Sequence, residues 1–137
     1  MSSTGEMAQT IAQDAFRKCP ASLVFKIRGG KGSVLATVSN LSELISTLHE
    51  IPPTIVHFHV FRETMSGLFD EQLNGPVVRS DIALWINYVL GDDELSRRVW
   101  EIGKREKNPR ELKKKVIETL KEREKELRMV LERSVRR

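Results

Sequence analysis

The sequence predicts an α+β domain, a two-stranded β-hairpin packed with short helices and followed by a long C-terminal α-helix. Three observations carry this prediction. In "SLVFKIRGGKGSVLATVSN", two runs rich in Val, Ile and Phe flank a glycine stretch. Short segments with helical spacing follow, each bounded by a capping residue or a glycine. Residues 110–137 then run on without a single Gly or Pro.

Taken in order, residues 1–20 are expected to form an N-terminal extension, disordered over about its first six residues. Beyond these comes a short helix carrying Ala8, Ile11, Ala12, Ala15 and Phe16, closed by Pro20. Strands are expected over 22–28 and 33–38, joined at the Gly-Gly-Lys-Gly stretch, because glycines accept the positive φ of tight turns. Asn40 with Glu43 three residues on resembles a capping box, and Leu41, Leu44, Ile45 and Leu48 repeat at helical period, so a helix is expected over 41–50, ended by Pro52 and Pro53. Segment 62–79 has apolar residues without period and reads as an irregular or partly helical excursion. Ser80 caps a helix bearing Ile82, Trp85, Ile86 and Val89 and stopped by Gly91. Asp92 and Asp93 start another with Leu95, Val99 and Ile102, stopped by Gly103. Pro109 opens the last helix, supported by the pairs Glu111–Lys115, Glu124–Arg128 and Glu132–Arg136. The organisation is an extension over 1–20, a compact α+β domain over 21–103 and a basic helix over 104–137.

At 137 residues, with 39% hydrophobic and 31% charged residues, the chain suits one globular core. Cys19 is the only cysteine, so neither an intramolecular disulfide nor a Cys-based zinc site is available. With no basic start before an apolar run and no long apolar window, neither export nor membrane insertion is indicated, and a cytoplasmic protein is expected. Charge is unevenly spread. Residues 104–137 hold 14 Lys and Arg against 7 Asp and Glu, a net +7, whereas residues 1–103 hold 9 against 12, a net −3.

Motifs of chemistry are sparse. "IRGGKGS" lacks the Gly-Lys-Ser/Thr ending of a phosphate-binding loop, because Lys31 precedes Gly32 and a strand, so it reads as a hairpin turn. In "TIVHFHVF" the state of the backbone decides the chemistry. A strand would put His57 and His59 on one face, able to share a metal with His49 or Asp81; a helix would set them about 200° apart. The Pro-Pro start favours a helix and the Ile, Val and Phe content a strand. No nucleophile elbow is present, and Cys19 has no readable His partner. Asp92 and Asp93 sit where carboxylates stabilise a helix dipole. No cofactor or metal is expected.

The most distinctive pattern lies at the C-terminal end. Lys107, Arg110, Lys114, Glu118, Lys121, Lys125, Arg128 and Glu132 follow one another at heptad-like strides of three and four, six of the eight being basic. Such a stripe can track phosphates, though the seven glutamates between 104 and 137 make a solvated charged face the competing reading. The apolar face, Leu112, Val116, Ile117, Leu120, Leu127, Val130 and Leu131, is interrupted by Arg123 and Glu124, which suggests that the second half of the helix projects or pairs with another chain. Met65, Leu68 and Phe69 in segment 62–79 form a candidate partner contact beside Leu127 and Leu131.

"NLSELISTLHEI", the "FHV" step and "SDIALWINYVLGDDELSRRV" together resemble a small prokaryotic domain family of unknown function. Its pattern is an "nL-x-EL" helix, a "yHv" step and "NDFa-x-WI" followed by "D-x-x-LA". The resemblance covers about residues 23–100, through Leu41, Glu43, Leu44, His59, Val60, Asp81, Trp85, Ile86, Asp93 and Leu95. Ser80, Ile82, Ser96 and the longer segment 62–79 depart from it. It implies an architecture and no activity. Only His59 falls on the pattern, which implies a His59–Asp81 polar pair rather than a His57–His59 chelate. The leading expectation is a non-catalytic module that docks on RNA or a ribonucleoprotein surface through Lys107, Arg110, Lys114, Lys121, Lys125 and Arg128. A protein–protein adaptor or homodimer through Leu120, Leu127 and Leu131 comes second, and a metal-dependent enzyme built on His57, His59 and Asp81 third.

Overall fold

The computed structural model describes residues 3–29, 32–63, 69–70, 75–76 and 78–135. Helix α1 spans Ser3–Phe16, so helical backbone begins within the six residues expected to be disordered. After a 3₁₀ turn at Ala21–Leu23, β1 (Phe25–Arg28) pairs antiparallel with β2 (Val34–Val38). Phe25 faces Val38 and Ile27 faces Ala36; a bulge then sets Arg28 opposite Val34. Phe25 and Ile27 point into the core while Lys26 and Arg28 point to solvent, the period-two alternation of a half-buried strand. Gly32 holds φ at 79° in the turn; Gly30 and Lys31 lie outside the described residues.

Helix α2 (Leu41–Glu50) starts as its sequence dictates, with one adjustment. Asn40 Oδ1 accepts from Glu43 N–H at 2.9 Å, but the Glu43 carboxylate reaches past Asn40 to Ser39, accepting from its N–H at 3.0 Å and its hydroxyl at 2.7 Å. Those bonds hold the Glu43 carboxyl below its usual range. All of "TIVHFHVF" except its last residue, Phe61, lies in a helix, α3 (Pro53–Val60), with Pro53 in its first turn. Of the excursion that follows, the described residues form two short antiparallel pairings, and the remainder lies outside the described residues. Strand β3 (Arg62–Glu63) pairs with β6 (Val78–Arg79), and β4 (Phe69–Asp70) with β5 (Gly75–Pro76).

Helix α4 (Asp81–Trp85) is capped by Ser80, whose hydroxyl accepts from Ala83 N–H at 3.2 Å, and continues into one π turn, Ile86–Leu90. Gly91, at φ 72°, ends it. Helix α5 runs over Asp93–Arg105, two residues beyond its expected stop. Gly103 is buried within it for a different reason: a Cβ there would lie 3.0 Å from Val60 Cγ1 and 3.1 Å from Val60 O, so the glycine lets α5 approach the end of α3. Ser96 Oγ donates to Ala83 O at 2.7 Å and ties α5 to α4.

The long helix α6 (Pro109–Val135) packs on α1, α2, α3 and α5. Leu112, Val116, Ile117, Leu120 and Leu127 belong to the same buried cluster as Ile27, Leu44, Ile86 and Leu95, and Val130 and Leu131 pack against it. The expectation that its second half projects is therefore corrected, and with it the assignment of Leu120 and Leu127 as partner contacts. Leu127 is only 2% exposed. The two polar residues that interrupt the apolar face are docking groups. Arg123 Nε donates to Asp92 Oδ2 at 2.8 Å and Nη2 to Asp92 Oδ1 at 3.1 Å, while Ser42 Oγ donates to Glu124 Oε2 at 2.8 Å. Asp92 also caps α5 by accepting from Leu95 N–H. Lys113 Nζ donates to His49 O and Ile51 O, so a cation of α6 satisfies carbonyls at the C-terminal end of α2. Of the expected Glu-to-basic pairs, Glu124–Arg128 forms at 3.6 Å, Lys115 turns instead to Glu106 at 2.7 Å, and Arg136 lies outside the described residues. No described helix is long and apolar enough to cross a membrane.

Two substitutions test this packing. Arg123→Ala leaves the Asp92 carboxylate, 1% exposed, without its countercharge, and is expected to lower stability by about 3 kcal/mol in urea unfolding. Gly103→Val drives side-chain atoms into Val60 and its carbonyl, and the denaturation midpoint should fall by the equivalent of about 1–3 kcal/mol.

Candidate functional site

The helical state of residues 53–60 settles the geometry of the two histidines. His57 is half-buried, its ring 6.2 Å from that of Phe61, while His59, two residues on and about 200° round the helix, is buried beneath the hairpin. A shared His57–His59 metal site is therefore not formed. Among the described residues no three His, Cys, Asp or Glu side chains are grouped to hold a metal.

His59 is placed instead as a three-way joint. Its Nδ1 lies 3.1 Å from Asp81 Oδ2 at the start of α4. On the other side, Arg28 N–H of β1 donates to Nε2 at 3.1 Å, and Arg28 O lies 3.3 Å from the same nitrogen. In the neutral ring this network puts the proton on Nδ1, donated to the carboxylate, and uses Nε2 as acceptor. Both nitrogens are engaged, so the ring links α3, α4 and β1 rather than presenting a free base. Phe25 and Phe58 pack edge-on against it, at 5.5 and 5.3 Å between ring centroids.

This joint floors a cavity of about 350 Å³ lined also by Phe25, Lys26, Arg28, Phe58 and Leu84. The sequence pointed to His59 and Asp81 but not to Lys26, Arg28, Phe58 and Leu84. The available signal was the Pro52-Pro53 start: a helical α3 that buries Val56, His59 and Val60 turns Phe58 outward.

The basic residues occupy a second surface. Arg110, Lys114, Lys121, Lys125 and Arg128 are all exposed on α6. At about 100° per residue they fall within an arc of roughly 60°, along a ridge roughly 27 Å long. Arg110, Lys114, Lys121 and Lys125 have no ion-pair partner among the described residues, while Arg128 pairs with Glu124 and lies 4.5 Å over the Phe16 ring. Lys107 is not on the ridge: it precedes the helix and its ammonium lies 4.5 Å over the Phe61 ring. Glu118 borders the arc and Glu132 lies inside it. On the neighbouring flank, Arg98 and Arg123 join Glu94 and Glu126 in a network that holds both carboxyls below their usual range, Glu94 chiefly through Arg98 and Glu126 chiefly through Arg123. Those guanidiniums are consumed by the fold. Leu131 is half-buried against the core, the backbone of Phe69 lies in β4, and Met65 and Leu68 lie outside the described residues.

A structural His59 has a measurable consequence. His59→Ala strips a partner from Asp81 and from the Arg28 backbone, and a loss of about 2–3 kcal/mol in stability is expected. Zinc or a chelator should leave the melting temperature of the parent protein unchanged.

No curated protein and no solved structure matches the chain. Residues 31–136 match a family described as a family of unknown function, DUF5752. The match begins in the hairpin turn and runs through α6, which the resemblance over residues 23–100 left out, so the C-terminal helix is part of what the family shares. The chain therefore belongs to the DUF5752 family of unknown function, whose match takes in α6.

Proposed function

We propose that this protein is a non-catalytic, cytoplasmic binding module whose C-terminal helix docks on RNA, free or within a ribonucleoprotein. The observation that carries the reading is the ridge of Arg110, Lys114, Lys121, Lys125 and Arg128, the first four without an ion-pair partner among the described residues. Because α6 is held along one face by the core, these cations keep a fixed spacing and lose little side-chain-independent freedom on binding. A rigid row of exposed cations suits a phosphate backbone, where affinity comes from release of condensed counterions. The ridge has no exposed aromatic among its members on which bases would stack, which favours contact with the backbone of a structured RNA over reading of single-stranded bases.

The test is binding of an RNA hairpin by fluorescence anisotropy over a range of salt. Affinity should fall steeply with salt, with a log–log slope of about −3.5 to −4.5 for four or five phosphate contacts. The triple variant Lys114→Glu, Lys121→Glu, Lys125→Glu should bind at least tenfold more weakly while melting at the parent temperature. Salt-independent binding, or affinity untouched by the three reversals, would remove the proposal.

A further inference from the structure

The outer edge of β1 is held at two points and open between them. Just before the strand, Trp85 Nε1 donates to Leu23 O at 2.7 Å, and at its far end the Arg28 N–H and C=O both face His59 Nε2. Along an antiparallel strand, the backbone groups of residues two apart point to the same edge. The Arg28 groups point away from β2, so those of Lys26 do as well, and no described residue outside the hairpin bonds to them. This open stretch gives onto the cavity above His59, which Lys26 lines.

The surroundings specify what would complete the edge. On the helical side stand two large exposed apolar residues, Phe58 at 45% and Leu84 at 38%, and Tyr88, 80% exposed, follows one turn after Leu84. On the solvent face of β1 stand the side chains of Lys26 and Arg28, with Lys26 in no ion pair among the described residues. The carboxylate at this site, Asp81, is turned to His59. The rim is therefore cationic on one side and apolar on the other, along a strand edge left open at Lys26.

We propose that this edge receives an extended peptide segment of a partner protein, added beside β1 as a third strand, in which acidic and apolar residues alternate. Sheet edges with unpaired backbone are templates for such addition. In the added strand, residues opposite Lys26 share its solvent face, where an acidic side chain meets the two cations. Their neighbours turn to the other face, where an apolar side chain covers Phe58 and Leu84. A nucleic acid would meet the cations but satisfy neither the Lys26 backbone nor the apolar side of the groove. The surface is separate from the α6 ridge, so the two proposals stand independently.

The experiment is a titration of the isotopically labelled full-length protein, followed by amide NMR, with an eight-residue peptide alternating Glu or Asp with Val or Leu. Saturable binding is expected, with the largest shifts at Lys26, Phe58 and Leu84. Affinity should fall at least tenfold for the same peptide methylated on alternate backbone nitrogens and for the exposed variant Lys26→Glu. The double variant Lys121→Glu, Lys125→Glu should bind as the parent does. The proposal is overturned by absence of saturable binding, by shifts centred on α6, by equal affinity for the methylated peptide, or by an RNA hairpin that moves the Lys26 amide when the peptide does not.

Discussion

The bidentate contact between Arg123 and Asp92 sets the register of the whole helical assembly. Asp92 is almost wholly buried and Arg123 is 12% exposed, and the contact at 2.8–3.1 Å offsets much of the water each ion has lost, Arg123 being helped further by Glu94 and Glu126. The same carboxylate caps α5, which joins the start of α5 to the middle of α6 through one side chain. Guanidinium geometry is directional, so the contact fixes both the rotation of α6 and its position along its axis. The other polar docking contacts, Lys113 on the last carbonyls of α2 and Glu124 on Ser42, agree with that setting. Which face of α6 remains for solvent follows from this, and with it the placing of the basic ridge.

A second joint attaches the hairpin. Two strands alone make a marginal sheet, and here the hairpin is held by Phe25 and Ile27 in the core, by Trp85 on the Leu23 carbonyl and by His59 on the Arg28 backbone. His59 engages both ring nitrogens in doing so. The buried histidine therefore holds the fold together, and the two features proposed for recognition are on the surface: a row of cations on α6 and a strand edge left open at Lys26, above His59. They lie on different elements and differ in kind, one purely electrostatic and one combining backbone, apolar and charged groups.

Local chemistry determined a good deal of this protein from the sequence alone. Asn40, Ser80 and Asp92 each begin the helix they were expected to begin, and Gly91 ends one, because a cap is a bond between a side chain and a backbone group two or three residues away. The hairpin and the helical period of α2, α5 and α6 were legible for the same reason, as was the family, whose pattern is built from such local steps. Tertiary structure alone decided the rest. Within "TIVHFHVF" the intrinsic preferences conflict, and packing of Val56, His59 and Val60 against the core selects the helix. Gly103 looked like a terminator because a glycine near a helix end usually is one, yet its role is set by how closely Val60 approaches from another element. Arg123 and Glu124 looked like breaks in an apolar face because their partners, Asp92 and Ser42, are distant in sequence and become neighbours only once the helices have packed.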